Sequence, residues 1–304
     1  MKGKVFFVGA GPGSVDLLTL RAVRVLQRAD VVLHDDLVPQ EILDLAPERA
    51  EVRSVGKRCG KPGTTQAEVN ALLIDYARAG KSVVRLKCGD PSLFGRLGEE
   101  MDALREAAVE FEIVPGVTAA LAAAADAQIS LTDRRVASRV VFAAASLAHG
   151  GRQDWSTILA PHTTVVVYMP GPDYGRLAAE LLEAGAAPGL PCAVVARAGE
   201  KDGSLEVGTV GELSQVQAAT PALVIVGEVL GARRTAQARS EVERPKPVVA
   251  MGAAARTETP VRAAGKRHVA PSCPGQPRPT IADRGGRAPL AGQQEVNAGA
   301  RVGN

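Results

Sequence analysis

No apolar run in this 304-residue chain approaches the roughly 20 residues that a bilayer-spanning helix needs. The opening MKGKVFFVGAGPG passes from a short strand-like run straight into glycine, without a small-residue cleavage site, so a cytoplasmic location and no membrane partner are expected. There is no CxxC pair either: Cys59, Cys88, Cys192 and Cys273 are scattered, which argues against a disulfide framework or a zinc site, and no metal is expected. Aromatic residues are only 3% of the chain, and none stands in residues 232–304, where a basic segment would need them to stack on bases. That segment holds 13 Lys and Arg against 5 Asp and Glu, so the overall charge of +3 hides an acidic body of 23 against 28 in residues 1–231. Nucleic acid is not the expected partner.

What the chain does have is 46% hydrophobic residues, enough for a sizeable core, distributed as Val- and Ile-rich runs alternating with helix-period stretches. Residues 4–8 precede a helical pattern over 17–27; 31–34 precede 40–45; 82–86 precede 95–107; and 111–114 precede 118–127. Such alternation predicts βα units on a largely parallel sheet. A second series follows a loop near 148–154, with a strand at 164–169, a helix at 173–184, and strands at 191–195, 205–207 and 222–226. The expectation is two α/β lobes, 1–148 and 149–230, each with a mostly parallel sheet flanked by helices. Residues 231–304 are dominated by Arg, Pro, Gly and Ala, lose all periodicity, and read as a disordered tail.

Several strand ends carry unusual turns. Gly9-Ala10-Gly11-Pro12-Gly13 sits where a backbone must approach a ligand or simply turn tightly into a helix. Ser14 stands where a dinucleotide fingerprint wants glycine, and Pro12 lacks an amide for a pyrophosphate, which weakens a Rossmann reading. Asp35 ends the second strand, either as a solvated turn carboxylate or at the edge of a ligand crevice. Gly56-Lys57-Arg58 follows the third strand-like run. In RLKCGDPSLFGR (85–96) a buried strand runs into Gly-Asp-Pro; its backbone is suited to lining a pocket, with Asp90 accepting hydrogen bonds or facing a cation. PGVTAA (115–120) opens an Ala-rich helix, and Tyr168-Met169-Pro170 ends a strand of the second series.

Taken in order, GAGPG, LHDDLV, VGKR, RLKCGDPSLFGR, PGVTAA, SLTDRR, YM and PALVIVGEV resemble the uroporphyrinogen-III C-methyltransferases, within the class of tetrapyrrole methylases. The resemblance spans about three quarters of the chain. It implies two lobes with S-adenosylmethionine in the cleft between them, S-adenosylhomocysteine as product, a tetrapyrrole substrate and a homodimer. It implies cofactor contacts at Pro12, Cys88, Gly89, Asp90, Leu93, Thr118, Ala119, Met169 and Ala198, with Asp35 as proton acceptor and Lys57 as donor. A polycarboxylate substrate asks for cations, for which Lys57, Arg58, Arg85, Arg96, Arg134 and Arg135 are the candidates. The chain departs from the family pattern at Ser14, Cys88, Leu97, Asp133, Pro170 and the Ala144-Ala145-Ser146 triplet. Cys88 and the small residues at 144–146 suit a backbone-lined cofactor site, whereas Asp133 and the missing histidine fall on the substrate side, so a later precorrin, another substrate of the class, or a non-catalytic cofactor-binding homologue stand as alternatives.

Overall fold

The computed structural model describes residues 3–56, 64–146 and 151–231, which build two five-stranded sheets within one compact unit. Lys57, Arg58, Cys59, Cys273 and the segment 232–304 lie outside the described residues.

The first sheet comprises β1 (Lys4–Gly9), β2 (Val31–His34), β3 (Glu51–Ser54), β4 (Ser82–Lys87) and β5 (Glu110–Val114), in the order β3-β2-β4-β1-β5. Every pairing in it is parallel, as the βα alternation predicts. Both faces are covered at the central strands β1, β2 and β4, which is why these read as near-continuous apolar runs, whereas the edge strands β3 (EVRS) and β5 (EFEIV) are more exposed. On one face Val8, Val32, Val84 and Leu86 pack with Leu26 of α1 (Leu20–Leu26) and Ile42 of α2 (Gln40–Leu43). On the other, Val5, Phe7, Leu33 and Val83 meet Leu73 of α3 (Gln66–Arg78) and Leu104 of α4 (Leu97–Glu106). The helix expected over 17–27 divides: Val15–Leu17 forms a 3₁₀ turn, and α1 begins only after Thr19, whose Oγ1 accepts from Ala22 N at 3.1 Å.

The second sheet corrects the expectation of a mostly parallel lobe. Its strands are β6 (Arg139–Ala144), β7 (Thr163–Tyr168), β8 (Pro191–Ala196), β9 (Ser204–Thr209) and β10 (Ala222–Val226), ordered β6-β7-β10-β8-β9. Only β6 and β7 run parallel; β7-β10, β10-β8 and β8-β9 are antiparallel. The physical reason is connection length. Among the described residues no helix of more than one or two turns follows α6 (Tyr174–Glu183), and β8 and β9 are joined by too few residues for a crossover.

The Ala-rich helix α5 (Ala119–Asp126) follows β5 in sequence but packs on the second sheet. Ala120, Ala123 and Ala124 share a core with Val166, Ala193, Val195, Leu223 and Ile225. Small side chains let this helix lie close against the strands, joining the two sheets. No helix among the described residues is long and apolar enough to cross a membrane.

Candidate functional site

Parallel strands place all their carboxyl ends on one edge of a sheet, and three of the loops leaving that edge touch through backbone. Gly11 and Gly89 exchange hydrogen bonds, N to O, at 3.1 and 2.7 Å. Both have positive φ, +70° and +67°. A Cβ on Gly116 would stand 2.3 Å from Gly89 O, and one on Gly9 would stand 2.6 Å from Gly116 Cα, so only glycine allows these loops to meet. Asp90 fastens them. Its Oδ2 accepts from Gly116 N at 2.9 Å and its Oδ1 from Ser92 N at 2.8 Å, which makes it the staple between the β4 and β5 loops, with its charge at the pocket wall.

These loops face the second sheet across a cavity of about 520 Å³. Pro12, Cys88, Gly89, Asp90, Leu93, Thr118, Ala119, Met169 and Ala198 all line it. The second sheet supplies the ends of β7 and β8 and, because β10 is antiparallel, the start of β10: Leu223 is in register with Tyr168, and Ala222 with Ala196. Tyr168 locks the two sides together. Its phenol oxygen accepts from Ala120 N at 3.1 Å and shares a 2.6 Å hydrogen bond with Thr118 Oγ1, at the first turn of α5. Phe94 rests on the Tyr168 ring at 4.9 Å between centroids.

Backbone strain collects around this cavity. Phe94, Met169 and Arg197 line it with φ of 53°, 52° and 48°, and Arg96, just beyond Phe94, has 55°. Four non-glycine residues held in the left-handed region within one site is a pattern seen where ligands are gripped. Leu37, Phe94, Tyr168, Arg197 and the 220–223 segment also line the cavity without having been expected there. The YM motif carried a signal for Tyr168. The 220–223 segment had none, because only the antiparallel arrangement brings the start of a strand to this edge.

Asp35 follows β2 directly, beside the cavity wall at Leu37, and its side chain is 30% exposed. Arg85 Nη2 donates to its Oδ1. The charge of Asp35 reaches the cavity. Burial first, then the charges of Asp35 and Glu200, push the Cys88 thiol up to about 11.

The expected substrate-facing cations take different places. Arg85 is a correction: it is 4% exposed, and its guanidinium is engaged by Asp35, Glu100 and the carbonyls of Leu33 and Leu86. Facing inward from β4, it is buried behind the cavity and does not line it. Burial works against its charge, but the carboxylates of Asp35 and Glu100 outweigh that and hold it above its ordinary value. Arg96 is exposed and forks onto Glu99 at 2.8 and 2.6 Å. Arg135 grips Asp133 at 2.9 and 2.6 Å, while Arg134 is exposed beside it. The Arg135 side chain, and then its backbone amide, hold the Asp133 carboxyl down to about 2. None of these four arginines lines the cavity.

Comparison with known proteins agrees with this arrangement. Residues 4–214 match the family described as Tetrapyrrole (Corrin/Porphyrin) Methylases. Over 233 residues the chain is 43% identical to a siroheme synthase of Zymomonas mobilis, covering 76% of this chain and 50% of that protein. The chain thus spans about half the length of such relatives. A uroporphyrin-III C-methyltransferase structure from Thermus thermophilus is 40% identical with a TM-score of 0.68, covering 76% of this chain and 100% of its own. A Thermus thermophilus structure complexed with S-adenyl homocysteine has 40% identity and a TM-score of 0.67 over the same shares. With its family match covering well over half its length, the chain belongs to the tetrapyrrole methylases.

Proposed function

We propose that the chain methylates carbon on uroporphyrinogen III, in two successive transfers giving precorrin-2, with S-adenosylmethionine as donor, and so feeds sirohaem or cobalamin synthesis. One observation carries this reading: the nine positions aligned with cofactor contacts border a single cavity although they come from five separate stretches of chain.

The lining suits such a cofactor. About 520 Å³ is within the usual range for a ligand of that size, and the wall is mostly apolar with a few polar groups. Arg197, in that wall, has its Nε buried without a hydrogen-bond partner. When bound, S-adenosylmethionine supplies an electrophilic methyl group on a positively charged sulfur. Loop amides and carbonyls at Gly89, Thr118, Ala119 and Ala198 would hold it, and the Asp90 carboxylate would place negative charge near that sulfur. Held above its ordinary value, the Cys88 thiol stays neutral and does not compete for the methyl group.

Asp35, at the strand end beside this cavity, would take the proton that the methylated ring must lose, a role worth roughly 10²–10⁴-fold for a placed base. Lys57 would return a proton, and Lys57, Arg58, Arg96, Arg134 and Arg135 would meet substrate carboxylates. Asp133 favours a second reading, in which the substrate is a later precorrin. Its carboxylate, 2.6 Å from Arg135, changes the charge that this side presents to a macrocycle. Exposed Leu20, Ile113 and Leu121 support a homodimer, and two lobes, 1–148 and 149–230, remain the proposed division, although the change of sheet falls earlier, between β5 and β6. A cytoplasmic site of action fits a small-molecule biosynthetic step.

The test is to incubate the purified full chain with uroporphyrinogen III and S-adenosylmethionine, and in parallel with later precorrins. A doubly methylated product from uroporphyrinogen III is expected by mass spectrometry. Methylation of a later precorrin alone would overturn the substrate, and no methylation of any tetrapyrrole would overturn the reading.

A further inference from the structure

A buried ionic cluster lies between β4 and α4, behind Asp35. Strand side chains alternate, so Arg85 and Lys87 point to the same face of β4, the one α4 covers. Glu100, in the first turn of α4, is 0% exposed and receives both cations: Arg85 Nε at 2.9 Å and Lys87 Nζ at 2.9 Å. Gln66 of α3 adds Nε2 at 3.3 Å. Arg85 then reaches out of the cluster, with Nη1 near the carbonyls of Leu33 and Leu86 at 3.4 and 3.3 Å and Nη2 on Asp35 Oδ1. With Asp35 included, two cations face two carboxylates.

Stability alone does not call for this arrangement. Apolar side chains of the same size would fill a helix-to-sheet interface, and buried ion pairs often only break even against them. Burial, and then the nearby charge of Arg85, in fact push Lys87 below its ordinary value. What the cluster does achieve is orientation. A guanidinium is a rigid planar fork, so once Nε is fixed on Glu100 and Nη1 on two carbonyls, Nη2 has one direction left, and Asp35 stands in it.

Building on the proposed methyltransferase reading, we infer that Glu100 is a positioning residue for proton removal: it locks Arg85, and Arg85 holds Asp35 by Oδ1 so that Oδ2 meets the ring proton. Glu100 touches neither cavity nor substrate and acts only through these two side chains. The newly methylated carbon is fully substituted, so the proton leaves another position of the cationic ring; its bonding electrons neutralise that ring, and Oδ2 carries the proton away.

The test is a double-mutant cycle on the full chain with uroporphyrinogen III and S-adenosylmethionine, using Glu100→Gln, Asp35→Asn and the pair together. Glu100→Gln keeps the shape and loses the charge. A fall in kcat of about 10- to 100-fold is expected, as for a misplaced catalytic group, with KM and S-adenosylhomocysteine affinity within about 2-fold. In the Asp35→Asn background the same change costs nothing further, because the residue it serves is gone. Additive losses, an unchanged kcat, or a lost cofactor affinity would overturn the inference. If Glu100→Gln does not fold, Arg85→Lys answers in the same cycle, since it keeps the charge and loses the fork. A wild-type chain that methylates a different tetrapyrrole overturns only the substrate reading, and the cycle is then decided on that tetrapyrrole.

Discussion

The two sheets contribute opposite things to one cavity. The parallel sheet delivers loops rich in glycine and charge, with Gly11, Gly89, Asp90 and Gly116 in mutual contact and Asp35 beside them. The antiparallel sheet delivers mainly apolar wall, from Val195, Ala198, Met169 and Leu223. Topology explains the division. In a parallel sheet every strand ends at the same edge, so βα loops converge there and can be specialised together. In the second sheet that edge mixes strand ends with a strand start, and its turns are left to shape the wall. Polar chemistry therefore belongs to the first sheet, and enclosure to the second.

The two described cysteines give the largest expected contrast. Cys88 stands on the first-sheet loop in the cavity wall, and Cys192 is buried in the core of the second. Raised from 9.0 to about 11, the Cys88 thiol gives about 100-fold less thiolate near pH 8.5 than an unfolded cysteine, and alkylation slows in proportion. The sign is fixed by the raised value: the neutral thiol persists as pH rises and yields only toward pH 11. Peptide mapping after iodoacetamide treatment measures it, and saturating S-adenosylhomocysteine is expected to slow Cys88 further without affecting Cys192. Rapid alkylation of Cys88 at pH 8.5 would show that the first-sheet loop is open to water and that the contrast between the sheets is false.

A smaller effect tests the glycine contacts. Gly116→Ala puts a methyl carbon 2.3 Å from Gly89 O, a backbone atom that cannot move without pulling Gly11 and Asp90. The expected cost is about 1–3 kcal/mol in denaturant unfolding, as for an overpacked core, with S-adenosylhomocysteine binding weakened beyond what the lost stability explains. Gly185→Ala, in a second-sheet turn where an added Cβ meets nothing within 4 Å but φ is +96°, is expected to cost stability and leave binding intact. Equal losses of binding in the two variants would erase the distinction between loops that hold a ligand and loops that only turn the chain.

The first sheet was largely legible in the sequence because its central strands β1, β2 and β4 announce themselves by apolar runs, each followed by a turn and a helix. Even there α3 was passed over, although Thr65 and Glu68 form the capping box that opens it, an S/T-x-x-E signal readable without coordinates. The second sheet misled, since strand periodicity says nothing of direction and β6, RVVFAA, lacks the flanking turn residues that mark a strand. Eight of the nine aligned positions that border the cavity sit in quoted motifs, and only Ala198 stands outside them. Arg85 was misread for the converse reason: a cation at a strand end looks the same in sequence whether it faces a ligand or a buried Glu100 fifteen residues away.

The smallest expected effect falls on the seam between the sheets. Tyr168 is the last residue of β7, yet its hydroxyl serves α5, meeting Ala120 N and Thr118 Oγ1. Burial holds this phenol above its ordinary value, so it remains a neutral donor and acceptor. Tyr168→Phe keeps the ring against Phe94 and Phe142 and removes only the oxygen. The loss of one partly buried hydrogen-bonding group costs about 0.5–1.5 kcal/mol, which lowers the melting temperature by about 2–4 °C in a protein of this size. Thr118 and Ala119 line the cavity, so a several-fold weaker S-adenosylhomocysteine affinity should accompany it in calorimetry. A lowered melting temperature with full affinity would mean that the hydroxyl joins the sheets without shaping the cavity. An unchanged affinity and melting temperature together would mean that alanine packing in α5 alone holds the polar loops against the apolar wall.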